Sequence, residues 1–181
     1  MPNFSDLLSD KTKKKLILPS INKGDIFRMK MTETEGITPK NNKDDFRYKY
    51  FVVVGRTEDG NLIGFVVINS EINKFLSQQI KMLQYPISKN DYPFLNHDSF
   101  IHCGELKEIT IETFLERYNT GTYGSLSESD MNVVIESLLE SPTETAKHLK
   151  KFKLNSMAYI VSSINFFTKA IILPSSIGWL Y

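Results

Sequence analysis

The stretch YKYFVVVGRTEDGNLIGFVVI, residues 48–68, decides the fold of this 181-residue chain. It contains two apolar runs, Tyr50–Val54 and Leu62–Ile68, on either side of the turn-forming pair Asp59-Gly60. An Asp-Gly pair between β-branched and aromatic runs is typical of a β-hairpin. The sequence therefore predicts two antiparallel strands joined at this turn, and the first of them is apolar on both of its faces.

Shorter extended segments flank the hairpin. Phe27, Met29 and Met31 alternate with Arg28 and Lys30, which is the pattern of a half-buried strand. The other predicted elements are extended stretches over Ile80–Ile87 and Ser99–Ile109, short helices over Ser70–Gln79 and Ile111–Tyr118, and polar loops over Glu33–Phe46 and Ser88–His97. Five short strands with tight turns predict an α+β fold, a small antiparallel β-barrel with C-terminal helices.

Two helices are predicted after the barrel. Ser127 and Asp130 form an approximate capping box before apolar residues at helical spacing. Ser141-Pro142-Thr143-Glu144 offers a cap, a first-turn proline and an acid for a second helix. A weaker helix is predicted over Phe4–Leu18. The apolar stretch Ser156–Leu173 approaches the length of a membrane span, but polar residues interrupt it and a buried terminal element is the preferred interpretation.

Composition excludes several classes of function. The chain has 22 Lys and Arg against 21 Asp and Glu, so no global basic field draws it to nucleic acid or membrane. Cys103, the single cysteine, excludes an internal disulfide framework and a multi-cysteine zinc site, fits a reducing cytoplasm, and is expected to be buried. His97 and His102 lie too far apart on an extended strand to hold one metal ion. We predict neither a metal nor a cofactor.

Two cations and two tyrosines alternate at the start of the second strand. Arg47 and Lys49 fall on one face and Tyr48 and Tyr50 on the other, because side chains alternate along a strand. Cations beside exposed aromatic rings suit single-stranded nucleic acid, which they bind through phosphate attraction and base stacking. A solvated strand edge whose charges discourage aggregation has the same pattern. Residue types alone favour the solvated edge over the nucleic-acid site.

Short motifs occur in a characteristic order along the same region. They are Gly24-Asp25-Ile26 at the first strand, a basic residue before Phe51–Val54, Ile68-Asn69-Ser70 at the end of the next strand, and Asp98-Ser99-Phe100-Ile101 followed by Leu106 and Ile109. In this order and spacing the chain resembles the MazF/PemK-like toxin family, the small SH3-like barrels of bacterial toxin–antitoxin systems. The resemblance covers residues 23–118, and the helix from Ser127 is similar to the family's C-terminal helix.

The resemblance implies an endoribonuclease that cleaves single-stranded RNA without a metal ion, by attack of the 2′-OH on the adjacent phosphorus. In that family an arginine at the start of the second strand and a Thr or Ser at the end of the third line the cleavage site. The basic position falls on Lys49, with Arg47 two residues earlier on the same face, and the hydroxyl position falls on Asn69 or Ser70. The implied catalytic residues are Arg47, Lys49 and Ser70. The implied RNA contacts are Arg47, Lys49, Tyr48, Tyr50 and Asn69.

The chain departs from the family pattern at two of these positions. It has Lys49-Tyr50 where the family usually has Arg-Pro, and Asn69 where the family often has Thr. Lysine is a poorer bidentate phosphate ligand than arginine. No general base is assigned among the acids of the preceding loop, which are Glu33, Glu35, Asp44 and Asp45.

The family also implies a cytoplasmic homodimer whose RNA groove is covered by an antitoxin protein. The chain divides on this interpretation into an N-terminal helical extension over residues 1–22, the barrel over 23–118, and C-terminal helices with an apolar tail over 119–181. Trp179 and Tyr181 would suit an interface. Two rival hypotheses are a non-catalytic barrel that binds a protein partner, and a form anchored in a membrane by Ser156–Leu173.

Overall fold

The computed structural model describes residues 10–39, 44–119 and 121–154. The strands are β1 (Asp25–Met31), β2 (Arg47–Arg56), β3 (Leu62–Asn69), β4 (Gln84–Ile87), β5 (Ser99–His102), β6 (Lys107–Thr110) and β7 (Gly124–Ser125). The helices are α1 (Asp10–Ile17), α2 (Gln78–Met82), α3 (Ile111–Arg117), α4 (Glu128–Leu139) and α5 (Ala146–Lys151), with 3₁₀ turns at Leu18–Ser20 and Glu33–Glu35. The predicted apolar tail over Ser156–Leu173, with Trp179 and Tyr181, lies outside the described residues.

The seven strands form one antiparallel sheet built on the predicted hairpin. The order is β4-β5-β3-β2-β1-β7, and β6 also pairs with β3. Strands β2 and β3 pair from Tyr50 with Ile68 to Arg56 with Ile63, with a bulge at Val54. The α+β class and the β2–β3 hairpin are thus confirmed, and the sheet curls into a half-barrel.

The turn of the hairpin is longer than its Asp-Gly pair. The Leu62 carbonyl accepts from the Thr57 N–H, and the Asp59 carboxylate accepts from the Asn61 backbone and side chain. Gly60 has φ of 69°, a left-handed conformation that glycine adopts without steric cost. The turn residues therefore act as predicted within a five-residue loop.

Two separate apolar cores lie on opposite faces of the sheet. Alternate residues of the hairpin divide between them: Phe51, Val53, Phe65 and Val67 face α3, whereas Val52, Val54, Val66 and Ile68 face α4 and α5. This division explains why the first run is apolar on both faces, since neither face meets water. Burial on two sides makes the hairpin the common wall of both cores.

The C-terminal end of α5 closes the second core through a close approach to glycine. A Cβ added at Gly64 would lie 2.7 Å from the Phe152 ring, and one added at Gly55 would lie 2.5 Å from the Phe152 carbonyl oxygen. Gly55 and Gly64 are paired across the hairpin. Because Gly55 and Gly64 have no side chains, Phe152 packs directly against the hairpin and is 1% exposed. We call this pair of glycines the seat of Phe152.

The predicted helix over Ser70–Gln79 is wrong. Asn73 accepts a hydrogen bond from the Phe75 N–H through its own side chain, so this segment forms a turn instead of a helix. Helix α2 begins only at Gln78, after Ser77, whose hydroxyl accepts from the Ile80 N–H. Within the predicted extended stretch Ile80–Ile87, only the residues of β4 are strand.

The predicted strand Ser99–Ile109 is divided in two. Strand β5 pairs with the end of β3 and β6 with its beginning, and a turn at Cys103–Leu106 separates them. The Gly104 carbonyl accepts from the hydroxyls of Ser141 and Thr143, and the Glu144 carboxylate accepts from the Leu106 N–H. Hydrogen bonds to a distant segment therefore replace sheet pairing at this turn.

Of the two C-terminal helices, α4 begins where it was predicted and α5 begins later. The Ser127 hydroxyl caps α4 by accepting from the Asp130 N–H, as predicted. Ser141 does not cap α5; its hydroxyl donates to the Gly104 carbonyl and accepts from the Thr143 N–H in a turn, and the residue that caps α5 is Thr145. Pro142 consequently lies in a turn before the helix rather than in its first turn.

Two further expectations concern the burial of Cys103 and the presence of a membrane-spanning helix. Cys103 is fully buried as predicted, and burial raises the pKa of its thiol to about 12. Among the described residues no helix is long and apolar enough to cross a membrane.

Candidate functional site

An open groove of about 770 Å³ brings together residues that are distant in sequence. Arg47 and Lys49 enter it from β2, Asn69 and Ser70 from the end of β3, and His102 from β5. Its remaining walls are the 36–38 segment, the 71–76 loop and the turn before β6. Four of the six residues predicted from the sequence as site residues thus line a single groove.

Lys49 is the most strongly perturbed cation of the groove. Its Nζ donates a hydrogen bond to the Asn69 Oδ1, which joins the basic position to the end of β3. Burial, and then the charge of Arg47, lower the pKa of Lys49 to about 8. A desolvated ammonium beside another cation is a favourable partner for an anion. The negative charge offsets the cost of desolvating the ammonium and the repulsion between the two cations.

Arg47 lies on the same face of β2 as Lys49, two residues nearer the start of the strand. Among the described residues no carboxylate pairs with it. An unpaired guanidinium has donors in a planar fork that matches two oxygens of one phosphate. The groove therefore holds one flexible and one planar cation next to each other.

Lys107 is a structural cation at the opposite wall. Its Nζ lies 2.8 Å from the Glu105 carboxylate and donates to the Gly36 carbonyl at 2.9 Å. A cation that is already paired contributes little free charge to a ligand. The groove cations that no carboxylate of the described residues pairs are therefore Arg47 and Lys49 on β2 and the exposed Lys74 on the 71–76 loop.

The two tyrosines of the predicted RNA contact lie away from the groove. Tyr50 packs against Phe94 and Tyr123, with ring centroids 5.1 Å from each. Tyr48 is 51% exposed and lies beneath the Arg28 guanidinium, 4.9 Å from its ring centroid. Strand alternation puts the cations and the tyrosines on opposite faces, so the structure does not bring the predicted stacking residues to the groove.

Phe75 and His102 are two of the groove residues that the sequence did not single out as site residues. Phe75 is 86% exposed on the loop after β3, and no periodicity singles out an aromatic residue in a loop. The sequence argues against a metal or catalytic role for His102 as a pair with His97, and His97 does not line the groove. The alternation of β5 would have been informative, since Ile101 is in the core and His102 must face the other way.

The acids of the loop before β2 do not provide a base in this groove. Glu35 is buried, accepts from the Thr32 N–H and hydroxyl, and lies 3.0 Å from Arg117. Burial alone would raise the pKa of Glu35, but these hydrogen bonds and Arg117 lower it. Glu35 therefore fixes the 33–38 segment that forms one wall, which is a structural role.

In the part of the chain that the structure describes, no group of three or more His, Cys, Asp or Glu side chains could hold a metal ion. No protein-family model and no curated protein matches this chain.

Proposed function

We propose that this chain is an endoribonuclease of the MazF/PemK-like kind, an SH3-like barrel that binds single-stranded RNA in the groove and cleaves it. The observation that carries the proposal is the convergence of Arg47, Lys49, Asn69 and Ser70 in one groove. Three of these side chains bear charge or a hydroxyl group suited to a phosphodiester. The groove is open at its surface, which suits a polymer rather than an enclosed small molecule.

The reaction is a transphosphorylation within the RNA. A bond forms between the 2′-oxygen and the adjacent phosphorus while the bond from phosphorus to O5′ breaks. The 2′-hydroxyl gives up its proton to solvent and O5′ takes one up, which leaves a cyclic phosphate and a free 5′-OH. Negative charge that develops on the phosphoryl oxygens is stabilised by Arg47 and Lys49, and such electrostatic stabilisation is usually the largest catalytic effect.

Asn69 and Ser70 have different roles in this proposal. Asn69 holds the Lys49 ammonium at the end of β3 through its side-chain oxygen. The Ser70 hydroxyl, on the next residue, orients a phosphoryl oxygen by a hydrogen bond. In this proposal two residues replace the single Thr of the family. The Asn69 amide positions the Lys49 ammonium, and the Ser70 hydroxyl binds the ligand.

A toxin of this kind has a protein partner as well as a substrate. An acidic antitoxin segment would compete with RNA for Arg47 and Lys49 by the same charge complementarity. We propose a cytoplasmic homodimer regulated in this way.

The alternative function is a barrel without catalytic activity that binds a protein partner. The observation that favours it is apolar exposure in the segment between β3 and β4, where Phe75 is 86% and Met82 77% exposed. Exposed large apolar side chains are common in protein interfaces.

The test is to incubate the protein with a long single-stranded RNA in EDTA and analyse the product ends. The variant Arg47→Ala/Lys49→Ala/Ser70→Ala removes the proposed site. Its matched control is Lys147→Ala/Lys150→Ala, which removes two exposed cations of α5 that do not line the groove. Thermal unfolding of each protein shows whether the fold is retained.

We expect cyclic phosphate ends from the parent and the control, and no cleavage by the triple variant. A folded parent that cleaves no RNA would contradict the proposal and favour the partner-binding barrel. Equal cleavage by the triple variant would place the activity elsewhere.

A further inference from the structure

The ring of His102 is held in one orientation by Gln84 of the neighbouring strand. The Gln84 Nε2 donates to the His102 Nδ1 and also to the Ile80 carbonyl, at 3.0 Å. Gln84 is buried, and both hydrogens of its amide are used by these bonds. Reversal of the amide would place its oxygen against the Ile80 carbonyl oxygen, so the orientation is fixed and Nδ1 must be an acceptor.

An acceptor at Nδ1 determines the protonation of the rest of the ring. A neutral imidazole that accepts at Nδ1 carries its hydrogen on Nε2. No described residue is hydrogen-bonded to this Nε2, and no buried side-chain nitrogen or oxygen in the described part of the chain lacks a partner. The Nε2–H is therefore exposed to solvent, and the space beside the ring is the groove.

Close packing supports the same orientation. A Cβ added at Gly104 would lie 3.0 Å from the Cε1 of His102 and 2.8 Å from the Ile80 side chain. The absence of a side chain at Gly104 lets both groups approach this turn. The imidazole is thus confined between β4 and the turn after β5, with one nitrogen buried and the other facing the groove.

We propose that His102 is a neutral hydrogen-bond donor whose Nε2–H binds a non-bridging phosphoryl oxygen of the anion in the groove. The RNA ligand in this inference rests on the proposed function, whereas the tautomer does not. His102 is not a proton shuttle in this scheme, because Nε2 already carries a hydrogen and Nδ1 faces an amide N–H. The hydrogen bond from the His102 Nε2–H instead strengthens as negative charge develops on the phosphoryl group.

The charged groups around the ring are consistent with a neutral imidazole. Burial lowers the pKa of His102, and the charges of Lys107 and Lys49 add to this effect, whereas Glu105 opposes it. Lys49 faces the ring from β2 and Lys107 from β6, while β4 contributes only the Gln84 amide. Protonation of His102 would add a third cation and break the bond from Gln84.

The tautomer is tested by ¹⁵N NMR of the full chain at pH 7, in which the protonated and unprotonated ring nitrogens are distinguished by their chemical shifts. The other two histidines, His97 and His148, serve as internal references, and the His102→Gln variant assigns the signals. We expect Nε2 of His102 to be protonated and Nδ1 unprotonated. Titration with inorganic phosphate is expected to shift the Nε2–H signal.

Two variants test whether the donor acts in catalysis. His102→Phe is expected to lower the RNA cleavage rate by about 10²–10³-fold, the effect of losing one such donor. His102→Gln keeps an N–H at the same distance along the side chain and is expected to retain the rate within about tenfold. Its pH profile should keep the parent's shape, since a proton-transferring histidine would lose one limb on replacement by glutamine.

These results separate the inference from the proposed function. An Nδ1–H tautomer or an imidazolium at pH 7 would overturn the inference even if the parent cleaves RNA. A phosphate titration without effect on Nε2–H would overturn it too. A parent that shows the expected tautomer and phosphate response but cleaves no RNA would leave the inference standing and remove the endoribonuclease.

Discussion

At the scale of single residues, the titration of Lys49 makes the positive charge of the groove depend on pH. Its pKa of about 8 lies below the ordinary value of 10.5, first because the ammonium is desolvated and then because Arg47 is near. The unfolded chain therefore binds more protons between pH 8 and 10.5, and the free energy of unfolding rises with pH across this window. The same deprotonation removes a charge from the groove.

Binding of RNA should consequently weaken as the pH rises from 7 to 9. We expect the dissociation constant for a 2′-O-methylated RNA, which cannot be cleaved, to rise by about tenfold, the effect of one charged hydrogen bond. In the Lys49→Arg variant the change should be much smaller, because arginine stays charged. Fluorescence anisotropy measures both, and Lys147→Arg is the control. An equal rise in the dissociation constant of the parent and of Lys49→Arg would contradict this role of Lys49.

Under the proposed function, Phe75 is the groove residue on which an RNA base would stack, since the predicted tyrosines lie elsewhere. Replacement by alanine should weaken RNA binding by about 1–3 kcal/mol, the usual effect of losing one stacked base. The midpoint of thermal unfolding should be unchanged, because Phe75 is 86% exposed. Met82→Ala, at a residue outside the groove that is 77% exposed, provides the control. RNA affinity that is the same in Phe75→Ala and the parent would exclude stacking.

The sequence identifies the cations of the groove but not the residues opposite them. Arg47 and Lys49 are recognisable because strand alternation is local information. His102 and Phe75 face the same groove only because β5 pairs with β3 and the loop after β3 turns back, which are contacts between distant segments. Propensity and spacing contain no term for such contacts.

At the scale of elements, one carboxylate of α4 adds hydrogen bonds to the apolar packing of this helix against the sheet. The hydroxyls of Tyr85 and Tyr92 both donate to Asp130, and the former bond measures 2.7 Å. Burial would raise the pKa of Asp130, but these bonds and that of Ser127 lower it. The stabilisation is therefore present above the unfolded value of 3.8 and is lost as the pH falls below it.

Asp130→Asn should lower the free energy of unfolding by about 1–3 kcal/mol, since a neutral amide cannot accept two charge-assisted bonds. Urea denaturation at pH 7 measures this change. Glu128→Gln, in the same first turn but exposed, is the control and should cost only a few tenths of a kcal/mol. A loss equal to that of the control would show that the tyrosines do not hold α4.

Element boundaries were predicted correctly where a side chain hydrogen-bonds to the backbone of the next few residues. They were missed where the side chain hydrogen-bonds to a distant segment. Ser127 caps the helix that follows it, as its position suggests. Ser141 occupies a similar position, but its hydroxyl is donated to Gly104, 37 residues earlier. The Gly104 carbonyl lies in the turn that divides the predicted strand Ser99–Ile109, so both errors occur where the same two distant segments meet.

At the scale of the whole molecule, the seat of Phe152 joins the C-terminal helix to the central hairpin. Gly64→Ala should lower the free energy of unfolding by about 1–3 kcal/mol, because its methyl group would lie 2.7 Å from the ring. Phe152→Ala should cost about 3–5 kcal/mol as a large core truncation. In the Phe152→Ala background the cost of Gly64→Ala should fall close to zero. Additive costs in urea denaturation would contradict direct contact.

The α+β class and the hairpin were predictable because both follow from apolar runs and one turn. The division into two cores was only implicit in a strand that is apolar on both faces. Which helices cover which face depends on where α3, α4 and α5 return to the sheet, and no local pattern specifies that.

The two ends of the sheet limit how another chain can add to it. The terminal strand β7 has two residues, and β4 has four, of which Pro86 has no N–H to donate. Short or proline-containing border strands discourage intermolecular pairing and the fibrous association that follows from it. We therefore expect a second copy or an acidic partner to recognise this protein through side chains on its surfaces, without extending the sheet.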